Sequence, residues 1–379
     1  MLKKILIIAG EASGDRLAAH ALQATQAIAN ERGMSLDIYG IGGTECAALG
    51  AKLYYTDKDV SVIGFAEVVK RYLFFRKVFN TMVSLLDDPL TKPDIVFLID
   101  YPGFNLRFAK EAKKRNIKII YYVSPQVWAW KEGRIKNIIE NTDELLVIFP
   151  FEEKLYKEKG HHNVKFVGHP LLELIEEEEK SFIGKEAFGL KHGLDPRKEW
   201  LLVFPGSRTE EVSRHLSTMT VAAKKFDIEN RYEKIIVKAS GITVHVDKDT
   251  KIFDGSSKEI HELMSYGSLG ILKSGTTTLE AGLMGLPGII CYKTSSITYH
   301  IAKNLIKLPY IGLINIVLGK ELYKEFIQHD FTPDKIAEGL HSVLANKDTF
   351  TQELRNLRSL LRAPSGSTAR RVANELLAD

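Results

Sequence analysis

Ile5-Leu6-Ile7-Ile8-Ala9, running straight into Gly10-Glu11-Ala12-Ser13-Gly14-Asp15, is the stretch that decides the fold. An unbroken apolar run without alternation reads as a strand buried on both faces, the habit of parallel sheets. A helical pattern follows over about 15–32, and the alternation then repeats. Residues 36–41 form a second strand candidate, and Ile95–Ile99 a third, followed by a helix over about 104–115. Residues 117–123 and 145–149 continue the series. The rhythm restarts at 200–204 and runs through 235–239, 269–272 and 288–292, with helical material after Phe331. Strands separated by helices predict parallel sheets covered on both faces, so two α/β units in tandem are expected. In such sheets ligands sit past the carboxyl ends of strands, which directs attention to the loops that follow them.

Length agrees with this division, since 379 residues at roughly 150 per domain allow two or three domains. Apolar residues make up 45% of the chain, enough for full cores. The formal charge of +4 is interspersed along the chain, which gives no footprint for nucleic acid. Cys46 and Cys291 lie far apart without a CxxC pair, so a disulfide scaffold or structural zinc is not expected and a reducing compartment fits. The apolar run at the N-terminus is too short for a signal peptide, and no stretch reaches the roughly 18 apolar residues of a spanning helix. Membrane contact is therefore expected to be peripheral. Glu176-Glu177-Glu178-Glu179 reads as a region just past a domain boundary or as an exposed helix face.

In the second unit, residues 200–204 run into Pro205-Gly206-Ser207-Arg208, and 269–272 run into Lys273-Ser274-Gly275-Thr276-Thr277-Thr278-Leu279-Glu280. Both loops are small, hydroxyl-rich and lead into a helix. Free N–H groups at such a place suit a phosphate, and Arg208 adds a bidentate donor. Plain helix capping uses the same residue types. Two such loops in one unit favour a diphosphate. Glu280, four residues past Thr276 and about 6 Å along the helix, is placed to accept from ribose hydroxyls; a solvated helix glutamate is the alternative.

The first unit carries a different chemistry. Its first loop holds Glu11 and Asp15, which disfavour an anion, and lacks the GxGxxG spacing of dinucleotide folds. A hydroxyl-rich acceptor is expected there. Asp100, at the end of Ile95–Ile99, is a candidate general base for a sugar hydroxyl, although Asp100 or Asn105 could equally cap the next helix. Asp57-Lys58-Asp59 and Asp247-Lys248-Asp249 match a loose DxD metal pattern, but two matches in one chain show how cheap it is; no metal is expected. The segment 65–86 has apolar residues at 65, 68, 69, 72, 75, 79, 82, 83 and 86, a helical face. Leu73, Phe74 and Val78 lie outside it beside Lys70, Arg71, Arg76 and Lys77. That composition suits an anionic membrane surface, or a core helix with a basic edge. The aromatic run around Trp128 could line an acyl-chain groove or belong to the core.

Taken in order, GEASGD at 10–15, DYPGFN at 100–105, YYVSPQVWAW at 121–130, FVGHPL at 166–171, PGSRTEEV at 205–212, SGTTTLE at 274–280, NIVLG at 315–319 and KEFIQ at 324–328 resemble the lipid-A-disaccharide synthase family over nearly the whole chain. Ile63 and Gly103 depart from residues common in that family. The resemblance implies a GT-B-like α/β fold, two Rossmann-like domains facing across a cleft with C-terminal helices returning to the first. The boundaries expected are 1–172 plus about 346–379 for the acceptor and lipid side, and 173–345 for the nucleotide sugar. It also implies UDP-2,3-diacylglucosamine and 2,3-diacylglucosamine 1-phosphate as substrates, metal-independent inverting transfer without a cofactor, and work at the cytoplasmic face of the inner membrane. Asp100 and Arg208 are the expected catalytic residues. Gly206, Ser207, Ser274, Gly275, Thr276, Glu280, Asn315 and Gln328 are expected to hold the UDP-sugar, and Ser13, Asn105 and Trp128 to face the acceptor.

Overall fold

The apolar runs become the centres of two parallel sheets in the computed structural model, which describes residues 2–60, 72–125, 133–247, 250–296, 298–299 and 308–378. In the first unit, β1 (Leu2–Ala9), β2 (Ser35–Gly42), β3 (Lys52–Thr56), β4 (Ile95–Ile99), β5 (Lys118–Tyr122), β6 (Glu144–Val147) and β7 (Val164–Phe166) pair in the order β3-β2-β1-β4-β5-β6-β7. Ile5 lies opposite Ile38 on one side and Ile95 on the other. Every residue of β4 is buried, because helices cover both faces of the central strands. One face packs Leu6, Ile8, Val96, Leu98, Ile119 and Tyr121 against Phe104, Phe108 and Met82. Each such aliphatic side chain contributes about 1.5–3 kcal/mol relative to exposure.

The second unit repeats the plan. Strands β8 (Glu199–Phe204), β9 (Tyr232–Val237), β10 (Thr250–Phe253), β11 (Leu269–Lys273), β12 (Gly288–Tyr292) and β13 (Glu325–Ile327) pair in the order β10-β9-β8-β11-β12-β13. Counted within each unit, both sheets run 3-2-1-4-5-6, the Rossmann order, with an added seventh strand in the first. All the pairings are parallel.

The compact units are Met1–Pro170 with Leu361–Asp379, and Leu171–Leu360. The sequence placed the return to the first unit at about 346, one helix too early. Helix Lys347–Leu361 belongs with the second unit because Arg358 pairs with Glu179 through both guanidinium nitrogens at 2.7 Å and reaches the Leu283 carbonyl at 3.3 Å. Its first partner is one of the four consecutive glutamates, which form the end of helix Pro170–Glu179. They are not merely a solvated face: Glu178 also accepts from the buried His261 ring at 2.6 Å. The last helix, Thr368–Leu377, does return, packing Ala373 and Leu377 on Ile28 and Ala29 of helix Ala12–Glu31.

The amphipathic segment is described from Tyr72 onward as a helix to Ser84. Its buried residues are Val78 and Met82, with Phe75, Phe79 and Val83 partly covered. Val78, expected off the core stripe, is fully buried, whereas Tyr72, expected on it, is 60% exposed; Leu73, expected off it, is 76% exposed. The face is rotated because 75, 78, 79 and 82 satisfy the i, i+3, i+4, i+7 spacing around Val78. Trp128 and the first part of the segment, 65–71, lie outside the described residues.

Candidate active site

Each sheet reverses its strand order between its first and fourth strands, and the loops after those two strands converge there. In the first unit these are the loops after β1 and β4. Glu11 is the N-cap of helix Ala12–Glu31, and Ser13 is an exposed residue of its first turn. Asp15, buried in that turn, accepts from the backbone of Gly43 at 2.6 Å, Glu45 at 2.9 Å and Cys46 at 3.2 Å, so it locks the β1 loop to the β2 loop. Gly10 is glycine by necessity: a Cβ there would stand inside the Tyr101 ring.

Asp100 and Tyr101 have φ of +43° and +47°, two successive non-glycine residues in left-handed conformation. Such strain costs on the order of 1–3 kcal/mol per residue and persists only where surroundings over-determine it. Here they do. The Asp100 N–H donates to Tyr122 O at 3.0 Å, and the Asp100 carbonyl accepts from Tyr121 Oη at 2.6 Å and Asn105 Nδ2 at 2.7 Å. Tyr101 Oη donates to Val60 O at 2.9 Å. Burial and the nearby Glu11 carboxylate push the Asp100 pKa up to about 6, against a smaller lowering by the Tyr101 N–H.

Asn105 is fully buried, and its Nδ2 also reaches the Ile99 and Ile8 carbonyls at 3.2 and 3.4 Å. Asn105, expected on the acceptor side, staples the carboxyl ends of β1 and β4 beneath Asp100. Its Oδ1 has no hydrogen-bond partner among the described residues.

In the second unit the loops after β8, β9 and β11 enclose a cavity of about 290 Å³. Its polar wall is Gly206, Ser207, Lys238, Lys273, Ser274, Gly275, Thr276 and Glu280, and its apolar wall includes Phe204, Val237 and Ile260. Glu280 stands on helix Thr277–Leu283, its N–H on Thr276 O at 3.1 Å. Burial holds its carboxyl above the ordinary range, with the neighbouring His261 opposing and Glu178 reinforcing the shift. Ser274 Oγ donates to Ile311 O at 2.8 Å, which fixes the loop from behind.

Four of the expected site residues, Ser207, Arg208, Asn315 and Gln328, have the following surroundings. Arg208 is the exposed N-cap of helix Thr209–Phe226 and is not among the cavity-lining residues. The Ser207 N–H is taken by Glu211 Oε2 at 3.1 Å. Asn315 and Gln328 bond to neighbouring groups of the protein. Asn315, fully buried, donates to Tyr323 O at 2.7 Å and Glu325 Oε1 at 2.9 Å, and accepts from Leu322 and Tyr323 N–H. That accounts for all four of its hydrogen-bonding positions. Gln328 pairs with the N–H and carbonyl of Thr294 at 2.8 and 3.2 Å. Lys238, Lys273 and Glu211 carry charge at or behind the cavity wall and were not singled out from the sequence; a lysine closing an apolar strand run, as Lys273 does, was the available signal.

Two Rossmann-order sheets in one chain, with a cavity of phosphate-compatible chemistry in the second and a strained acid in the first, are the construction of the GT-B class of α/β proteins. Solved structures share the fold across 99% of this chain: the calicheamicin glycosyltransferase (15% identity, TM-score 0.60, 97% of that chain) and the UDP-GlcNAc 2-epimerase of Neisseria meningitidis bound to UDP-GlcNAc (10%, 0.60, 98%). The family profile of lipid-A-disaccharide synthetase matches residues 5–377. A lipid-A-disaccharide synthase of Trichlorobacter lovleyi is 36% identical, covering 99% of this chain and 97% of its own. One from Sulfurihydrogenibium sp. is 36% identical over 94% and 92%. This chain belongs to the lipid-A-disaccharide synthase family.

Proposed function

We propose that this enzyme transfers 2,3-diacylglucosamine from its UDP derivative to the 6-hydroxyl of 2,3-diacylglucosamine 1-phosphate. The products are the β-1,6-linked disaccharide 1-phosphate and UDP. Asp100 is the general base: a carboxyl with a pKa near 6 is largely ionised at neutral pH yet basic enough to accept a hydroxyl proton as it is lost. The acceptor oxygen attacks the anomeric carbon as the bond to the diphosphate breaks, UDP leaves with the electron pair, and the anomeric centre inverts. The second unit's cavity takes the UDP, with Glu280 accepting from ribose hydroxyls and the Ser274-Gly275-Thr276 turn beside the diphosphate. Positive charge at the wall stabilises the negative charge that develops on the leaving group.

The observation that carries this reading is the cavity at the second sheet's strand reversal, with two lysines, hydroxyls and a half-buried glutamate in one wall. Among the described residues no helix is long and apolar enough to cross a membrane. Exposed Tyr72 and Leu73 with Arg76 and Lys77 on the same helix support peripheral docking on an anionic membrane surface, where acylated substrates reside. Incubating the protein with UDP-2,3-diacylglucosamine and labelled acceptor should yield the disaccharide phosphate by mass spectrometry. Conversion of the donor without acceptor, to an isomer of equal mass, would replace the transferase reading with epimerisation.

A further inference from the structure

Lys273 closes β11 and enters the cavity at the carboxyl end of that strand. Its ammonium is located from three directions. Glu211 Oε1 lies 2.8 Å away. The Tyr292 ring centroid is 5.7 Å from the nitrogen. A Cβ built on Gly275 would stand 3.8 Å from it, so the charge sits over the turn between Ser274 and Thr276. Glu211 is itself immobilised, since its second oxygen accepts from the Ser207 N–H at 3.1 Å. Gly206, with φ of +134°, lets this happen, because a Cβ there would meet the Glu211 Cβ at 2.6 Å. The lysine and glutamate side chains are only 20% and 16% exposed.

We propose that Lys273 is the cation that receives the diphosphate of the UDP-sugar, and that Glu211 is a positioning residue that aims it. This rests on the reading that the cavity binds UDP. An ammonium has three donors, of which one is spent on Glu211 and two remain. The neighbouring charges serve less well. Lys238 is held to Asp254 at 2.5 Å, on a carboxylate that is itself 53% exposed. Arg208 stands exposed outside the lining. A lysine held by one carboxylate, in a partly desolvated wall, meets the leaving group as a fixed point charge and needs no reorganisation when the bond to UDP breaks.

Calorimetric titration of the full chain with UDP and with uridine separates this charge from the rest of the site. Lys273→Met should weaken UDP about tenfold, a loss of about 1.4 kcal/mol, and leave uridine unchanged; Lys273→Arg should retain most UDP affinity. Glu211→Gln should weaken UDP by a smaller factor, again with uridine unchanged. UDP binding equal to wild type in Lys273→Met, or equal losses for UDP and uridine, overturns the assignment. Tighter UDP binding in Glu211→Gln overturns the positioning role, since relief of repulsion would then outweigh aim. A wild-type protein that binds no UDP removes the nucleotide reading of the cavity itself, a result separate from either variant.

Discussion

The two units share a strand order and differ in what they place at its reversal. In the first, the loops after β1 and β4 bring together Glu11 and Asp100, with Asp15 buried in the adjacent turn. In the second, the equivalent loops after β8 and β11 present Ser207, Lys273, Ser274 and Thr276. One end repels anions and raises a carboxyl's pKa; the other gathers donors. On the proposed function, the same backbone supplies a base in one copy and a leaving-group cradle in the other, and the division of labour resides in a few loop residues.

The sharpest way to break that contrast is to neutralise the acid end. Asp100→Asn keeps the shape and a residue type that tolerates left-handed φ, while removing the base. Turnover should fall by roughly 10²–10⁴-fold with UDP affinity unchanged, measured by disaccharide formation and by UDP titration. Stability should move the opposite way. The folded carboxyl's pKa, about 6, lies above the unfolded value, so the folded state holds its proton more tightly and loses stability as pH rises through that window. At pH 7 the variant should therefore be more stable by about 1–3 kcal/mol, and at pH 4 the gain should vanish. Near-normal turnover would remove Asp100 from the chemistry.

A second break acts on the donor end. Glu280→Gln keeps one carbonyl acceptor but removes the charge beside the ribose. UDP affinity should fall by about 10-fold, the worth of charge-assisted hydrogen bonds. 2′,3′-Dideoxy-UDP, which lacks those hydroxyls, should bind wild type and variant alike. Equal losses for both ligands would assign Glu280 to holding the helix rather than the sugar.

What the sequence disclosed follows the physics of burial. Central strands such as Ile95–Ile99 are apolar on both faces and announce themselves. The strands not read from the sequence, β3, β7, β10 and β13, are the four sheet edges. Edge strands are short and half-solvated, as in Thr250–Phe253 with its central Lys251 and Ile252 exposed, so their patterns fade into loop composition. Among site residues, loop position was legible and aim was not. Asn315 and Gln328 carry the same amide whether it meets a ligand or a neighbouring backbone, and only long-range folding decides. The Lys273–Glu211 pair spans 62 positions (273 − 211), beyond any local spacing rule.

The finest test leaves both ends intact and tunes the field between residues of one. Burial is the larger cause of the raised Asp100 pKa, and the Glu11 carboxylate adds to it. Glu11→Gln removes only that second contribution, so the carboxyl should ionise at lower pH. With a base that must be ionised, kcat/KM falls as pH drops through the base's pKa, and this acid limb, near pH 6 in the wild type, should shift downward by less than about one unit. At pH 5.5 the variant should therefore outperform the wild type relative to its own plateau, while its plateau rate drops slightly because a weaker base accepts the proton less readily. A limb that stays in place would show that the group titrating in the pH profile is not the one Glu11 faces. The assignment of the base would then pass from Asp100 to another acid, even if Asp100→Asn were inactive.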